Sequence, residues 1–239
     1  MTGDSGLLLY LYRGCVFKVA EGVQPPKPGS LLFCRHLSFR SNEHVLEIGT
    51  GIGLAAVLAA RAGCRVIATD IVSAAVECAR ENALLNGVAE RMEVRLGDCF
   101  APVQGLTFDL ICTSPPQMPT PPGRVREDPL AAADNGGFDG WEVLDRVIEG
   151  AAPHLNSHGR LVFTMFGFLG VKAAHAKLEA AGLEPSILGR ETQSFPRIGY
   201  ERLDHIRALD AEATMPPVGL PTLVERYVIQ GTKPGARPA

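Results

Sequence analysis

What this sequence of 239 residues lacks narrows it first. Its six cysteines, Cys15, Cys34, Cys64, Cys78, Cys99 and Cys112, form no C-x-x-C pair, and several fall in or beside apolar runs. They read as buried reduced thiols rather than as a disulfide framework. His154 and His158 stand four apart, but Asn156 and Ser157 break the helix between them and no acid completes a set, so no metal site is expected. There is no long hydrophobic run. Gly6 to Tyr12 is too short to span a bilayer, follows Asp4 and precedes no small-residue cleavage pattern, which predicts a cytoplasmic protein without a membrane partner. Nor is there an excess of positive charge. A formal net charge of −3 and a pI of about 6.1 leave no global footprint for nucleic acid.

What is present is enough apolar material, 46% of residues, for one sizeable core. The strongest stretch is Val45 to Ala60, VLEIGTGIGLAAVLAA. Val45, Leu46 and Ile48 suit a short buried parallel strand. Gly49, Gly51 and Gly53 then remove side chains at alternate positions, so backbone can approach a ligand and the next helix can aim its amides at it. The spacing misses the dinucleotide fingerprint, because Leu54 stands at its third glycine position. Glu47 adds a carboxylate at the carboxyl end of the strand, suited to a ligand bearing an ammonium group. A second strand, Cys64 to Asp70, ends in an acid about 20 residues past Gly49, the spacing at which a carboxylate reaches ribose hydroxyls. Two more strands, Met92 to Leu96 and Phe108 to Thr113, are followed by Gly97-Asp98 and by Ser114-Pro115-Pro116-Gln117.

Through EIGTGIG, the ATD strand end, the Gly97-Asp98 pair and the Ser-Pro-Pro turn, the chain resembles the class I S-adenosylmethionine-dependent methyltransferases. Within them it is similar to the HemK-like, small-domain type, which carries an Asn-Pro-Pro-Tyr turn and a downstream G-G-x-D-G, here Gly136-Gly137-Phe138-Asp139-Gly140. The resemblance implies S-adenosylmethionine as cofactor. Glu47 and the glycines Gly49, Gly51 and Gly53 would hold its methionine part, Asp70 the ribose and Asp98 the adenine amino group, with Thr50, Ile71 and Cys99 as further cofactor-binding residues. It also implies an α/β, Rossmann-like, doubly wound and mostly parallel seven-stranded sheet, with the last strand antiparallel between the fifth and sixth.

The remainder of the chain fits one domain over residues 1–232, with 7–22 an N-terminal β-hairpin and 233–239 a flexible tail. Gln24 to Ser30, QPPKPGS, reads as a rigid connector, and Leu31 to Leu37 as a helix. Ser73 is placed to cap a helix that Gly87 stops. Met118 to Gly140, rich in proline, glycine and charge, is too long for an ordinary connection and reads as a functional loop. Trp141 to Ala151 has helical spacing closed by Pro153, Arg160 to Phe166 is a fifth strand, Val171 to Ala181 a helix, Pro185 to Leu188 a sixth strand and Leu223 to Gln230 the last. Residues 191–221 form an insertion before that last strand and are expected to act as a lid.

Methyl transfer from a sulfonium needs nucleophile and methyl held in line. The catalytic candidates are therefore Ser114, Pro115, Pro116 and Gln117, a stiff turn whose oxygens can accept from an NH2 group. Gln117 replaces the relatives' aromatic ring, and Phe138, Phe166, Phe168 or Tyr200 is expected to supply the missing stacking surface. Arg197, Arg202 and Arg207 would suit an acceptor carboxylate. The expected acceptor is a nitrogen of a small, amino-acid-like molecule or of a side-chain amide. The alternatives are a thioether such as methionine, suggested by the Pro-Gln pair, then release-factor glutamine or RNA, and lastly a non-catalytic protein that only binds S-adenosylmethionine.

Overall fold

The computed structural model describes residues 8–125, 130 and 133–235. Leu7 of the expected hairpin, residues 126–129, 131 and 132 of the long loop, and 236–239 of the expected tail lie outside the described residues. β1 (Leu8–Tyr12) and β2 (Cys15–Val19) form an antiparallel hairpin that turns on Arg13 and Gly14. After the proline-rich connector and α1 (Pro28–His36), strands and helices alternate: β3 (His44–Ile48), α2 (Leu54–Arg61), β4 (Arg65–Asp70), α3 (Ser73–Leu85), β5 (Met92–Leu96), β6 (Phe108–Thr113), α4 (Glu142–His154), β7 (Leu155–Phe166), α5 (Val171–Ala180) and β8 (Glu184–Ser194). Two short helices, α6 (Arg197–Tyr200) and α7 (Leu203–Leu209), precede β9 (Leu223–Thr232).

The main sheet has seven strands in the order β5-β4-β3-β6-β7-β9-β8. Five run parallel, and β9 lies antiparallel between β7 and β8. This is the Rossmann-like arrangement that the resemblance implied. Alternation along each strand sends side chains to two cores. Val45, Val66, Leu110 and Cys112 pack on the α1–α2–α3 side. Leu46, Ile48, Ile111, Phe163 and Met165 pack on the α4–α5 side. Small residues in α2 let it lie close to the sheet, and all of Leu54 to Ala60 is buried. All six cysteines are buried and unpaired. Among the described residues no helix is long and apolar enough to cross a membrane.

The element boundaries depart from expectation at four main places, the first being α1, which starts at Pro28 inside the expected connector rather than at Leu31. Ser73 is the first helical residue of α3 rather than its cap. Val72 takes the cap position, and Asp70 has already turned the chain by accepting from the Val72 amide at 3.0 Å. β7 begins at Leu155 rather than Arg160, because α4 runs through Pro153 to His154 and leads straight into a strand with a register shift opposite β6. β8 extends to Ser194, so residues 191–194 pair with 223–226 and do not belong to an insertion. Their polar sequence shows no alternation, and only cross-strand pairing makes them a strand. What remains of the expected lid starts at Phe195. It is seated by Phe195, Leu203, Ile206 and Met215, all buried in the second core.

Candidate active site

The carboxyl ends of β3, β4 and β6, the turn after β5 and Phe166 at the end of β7 border one cavity of about 560 Å3. Open α/β sheets bind ligands at this edge. Every catalytic and cofactor-binding candidate except Gly53 lines it: Glu47, Gly49, Thr50, Gly51, Asp70, Ile71, Asp98, Cys99 and Ser114 to Gln117. Gly53 instead stands at the start of α2 at φ +82°, packed against Ala79 and Met92.

Glu47 binds the turn together. One carboxylate oxygen accepts from the Thr50 hydroxyl at 2.6 Å and from the Ala56 amide at 2.9 Å. Burial pushes its pKa up to about 7, against the pull of those donors. Asp70 accepts from the Gly51 amide at 2.9 Å and the Val72 amide at 3.0 Å, which draws the glycine turn towards the end of β4. Burial raises its pKa, while the amides pull the other way. Gly51 needs its positive φ of +55° to present that amide, and a Cβ there would meet no atom within 4 Å. The turn is thus an open cradle of backbone and carboxylates. Asp98 lies at the rim, where Arg146 of α4 pairs with it and holds its carboxyl below the usual range.

The Ser114 turn has a different support. Gln117 is buried, and its side-chain amide donates to the Thr164 carbonyl and accepts from the Phe166 amide at 3.1 Å. Both polar ends of the side chain are spent on β7, so Gln117 braces the turn and has no amide hydrogen bond left over for a substrate. The Gly-Gly-x-Asp-Gly motif serves the same turn. A Cβ on Gly136 or Gly140 would fall 2.6 Å from the Gln117 backbone. That close approach is sealed by Gly136 N–H donating to Met118 O at 3.1 Å and Thr120 N–H donating to Gly137 O at 2.8 Å.

Of the seven acceptor-side candidates, only Phe166 borders the cavity, and Phe168 is buried behind it with the two rings stacked 4.8 Å apart. Phe138 is exposed and meets His205 edge-on. Tyr200 packs on Phe195 and donates to the Pro221 carbonyl at 2.8 Å. Arg197 is exposed on α6 and is not in the cavity lining, although its neighbours Pro196 and Ile198 are. Arg202 is buried against Thr120 and the Asp134 carbonyl, and Arg207 donates to the Pro216 and Gly219 carbonyls. The helical spacing of these residues gave no sign of which way each would point.

The sequence reading missed two groups. Asp134 of the long loop bonds Lys27 Nζ at 2.8 Å and Gln24 Nε2 at 3.2 Å, which joins the loop to the connector across the cavity. Arg226 of β9 reaches the same cavity and lies over the Phe166 ring, with its guanidinium carbon 3.6 Å from the ring centre. The available signal was a cation two residues before Val228, which is fully buried on the same strand.

Residues 23–120 match the model of the methyltransferase small domain. The chain is 34% identical over 179 residues to a putative protein N5-glutamine methyltransferase of Methanocaldococcus jannaschii, covering 74% of this chain and 89% of that protein. It is 35% identical to a release factor glutamine methyltransferase of Cereibacter sphaeroides, over 76% of this chain and 69% of the relative. With the corresponding protein of Aquifex aeolicus it shares 34% identity, over 61% of this chain and 56% of the relative. Two solved structures share the fold. One is a 16S rRNA N2 methyltransferase of T. thermophilus in complex with S-adenosylmethionine and guanosine, with a TM-score of 0.62 and 17% identity over 95% of this chain and 50% of that one. The other is from the E. cuniculi Mtq2–Trm112 complex, with a TM-score of 0.58 and 19% identity over 89% of this chain and 99% of that one.

Proposed function

Because the chain belongs to the HemK-like, small-domain class I methyltransferases, which use S-adenosylmethionine, we propose that it methylates the side-chain amide nitrogen of a glutamine or a glutamine-like molecule. The observation that carries this reading is that the Ser114-Pro115-Pro116 turn and the Glu47–Asp70 glycine cradle line a single cavity, with the Phe166 ring in its wall. The relatives named as glutamine methyltransferases support the same acceptor.

The open cradle at Gly49 and Gly51, and the buried carboxylates that shape it, fit an adenosyl amino acid. Glu47, Thr50 and the turn amides would hold the methionine part, Asp70 and Ile71 the ribose, and Asp98, Cys99 and the Arg146 rim the base. The cofactor supplies a methyl group already activated as a sulfonium. The chain's own task is placement. The Ser114 hydroxyl and the Pro115 carbonyl accept from the planar NH2 and turn its lone pair inward. Phe166 supplies the flat wall expected of an aromatic residue at Gln117, while Gln117 keeps the turn in register with β7. Bound in the cradle, the cofactor would supply the methyl for the amide nitrogen that this turn holds, and the proton shed by that nitrogen would pass to solvent.

Purified protein should transfer label from S-adenosylmethionine to a glutamine peptide, and acid hydrolysis should release labelled methylamine. Ser114→Ala should lower turnover at least about tenfold, the loss of one hydrogen bond in the transition state, with cofactor affinity nearly unchanged. Label recovered in a methylsulfonium product instead would replace this reading by thioether methylation.

A further inference from the structure

Arg226 does not have the surroundings of an ordinary structural arginine. Among the described residues its guanidinium makes no hydrogen bond or ion pair, although burial lowers its pKa to about 10. Glu191, directly opposite on β8, pairs with Arg35 instead. The face of the guanidinium is used by Phe166, which leaves the edge donors for the cavity. A second positive element meets it there. The guanidinium lies so close to Gly29, in the first turn of α1, that a Cβ on Gly29 would stand 2.4 Å from Nη1. That turn holds no acidic residue of its own, and the nearest carboxylate at this helix end, Asp134, is engaged by Lys27 and Gln24. Arg226 is half-buried, and its edge donors open onto the cavity, where an anion would complete them.

The strand order says which ligand brings the anion. Across the ligand edge the chain sets out Asp70 on β4, Gly49 after β3, Ser114 after β6, Phe166 on β7 and Arg226 on β9. At a strand spacing of about 4.8 Å, Arg226 lies roughly 10 Å beyond the Ser114 turn, on the side away from Asp70. The cofactor cradle occupies the other side.

We propose that Arg226 is the acceptor-carboxylate anchor of this enzyme, its guanidinium taking a carboxylate on the molecule whose nitrogen the Ser114 turn presents. The arrangement suits the paired bonds a guanidinium makes to a carboxylate, and it displaces Arg197, Arg202 and Arg207 from that role. The carboxylate is either the α-carboxylate of an amino-acid-like acceptor or a side-chain carboxylate beside the target in a peptide. The proposal rests on the methyltransferase reading above.

Calorimetry on protein saturated with S-adenosylhomocysteine tests it, using N-acetylglutamine, N-acetylglutaminamide and a glutamine peptide amide with a glutamate beside the glutamine. Wild type should bind at least one carboxylate probe about tenfold or more tightly than N-acetylglutaminamide, and the probe preferred identifies the source. Arg226→Gln should abolish the preference and leave S-adenosylhomocysteine affinity unchanged. Gly29→Ala should weaken it too, because the far end of a flexible side chain is all that must move, and this variant keeps the test valid if Arg226→Gln fails to fold. Wild type that binds all three probes alike, or none, overturns the anchor. So does loss of S-adenosylhomocysteine affinity in Arg226→Gln, which would assign the arginine to the cofactor. Wild type unable to bind S-adenosylhomocysteine would instead defeat the methyltransferase reading.

Discussion

At the scale of single residues, Glu47 couples cofactor cradle and stability. Its folded pKa of about 7 lies above the ordinary value of 4.5, so the folded state holds the proton longer than the unfolded chain does. The stability this provides is fully present below about pH 4.5 and is lost as pH rises through about 7, a loss of about 3 kcal/mol by pH 8. Glu47→Gln cannot ionise but can still accept from Thr50 and Ala56. Its stability relative to wild type should therefore rise between pH 5 and pH 8 in urea unfolding. A difference equal at both pH values would mean that Glu47 is charged throughout. Gln117 is the opposite case, a neutral side chain with both ends engaged. Gln117→Leu strands the Thr164 carbonyl and the Phe166 amide in the interior and should cost roughly 2 to 4 kcal/mol, read as a lowered urea midpoint. A stacking role in the cavity would instead leave stability intact and change only turnover.

At the scale of elements, described residues of segments 24–30, 118–140 and 195–222 border the ligand edge, and their attachments differ. Segment 195–222 is held by apolar packing. Ile206 is fully buried in the second core, so Ile206→Ala should cost about 2 to 4 kcal/mol, while exposed Arg197→Ala should stay within about 0.5 kcal/mol of wild type, both by denaturant titration. The connector and the long loop meet through polar bonds from Lys27 and Gln24 to Asp134. Such partly exposed contacts open more easily than buried apolar ones. Movement that admits the acceptor therefore belongs to the junction of connector and loop before it belongs to the packed helices. Limited trypsin digestion of free protein should cut after exposed Arg124 of the long loop sooner than after buried Arg202, and S-adenosylhomocysteine should slow the cut at Arg124. Earlier cutting at Arg202 would restore the 195–222 segment as the mobile cover.

At the scale of the whole molecule, one cavity draws on five strand ends, so binding there should stabilise the entire domain. Ligand at one hundred times its dissociation constant adds about 2.7 kcal/mol, or about 5 to 10 °C in melting temperature for a domain of this size. S-adenosylhomocysteine should give that shift by calorimetry at that same multiple, and Asp70→Asn, at the same ligand concentration, should lose most of it. The order of strands and helices was written in the chain, because apolar runs, glycine turns and acids at strand ends are local features with fixed periods. So were Glu47, the glycine turn, Asp70 and the Ser114-Pro115-Pro116 turn, since each follows directly from the strand that carries it. Side-chain direction outside those motifs was not. Gln117 turned into β7, Phe138 and Tyr200 turned away from the cavity, and the polar end of β8 became strand through partners some thirty residues away. Arg226 entered the site from the last strand in the chain because antiparallel pairing sets it opposite Phe166. Contacts between residues far apart in sequence are decided by sheet order and burial, and those exist only once the whole chain has folded.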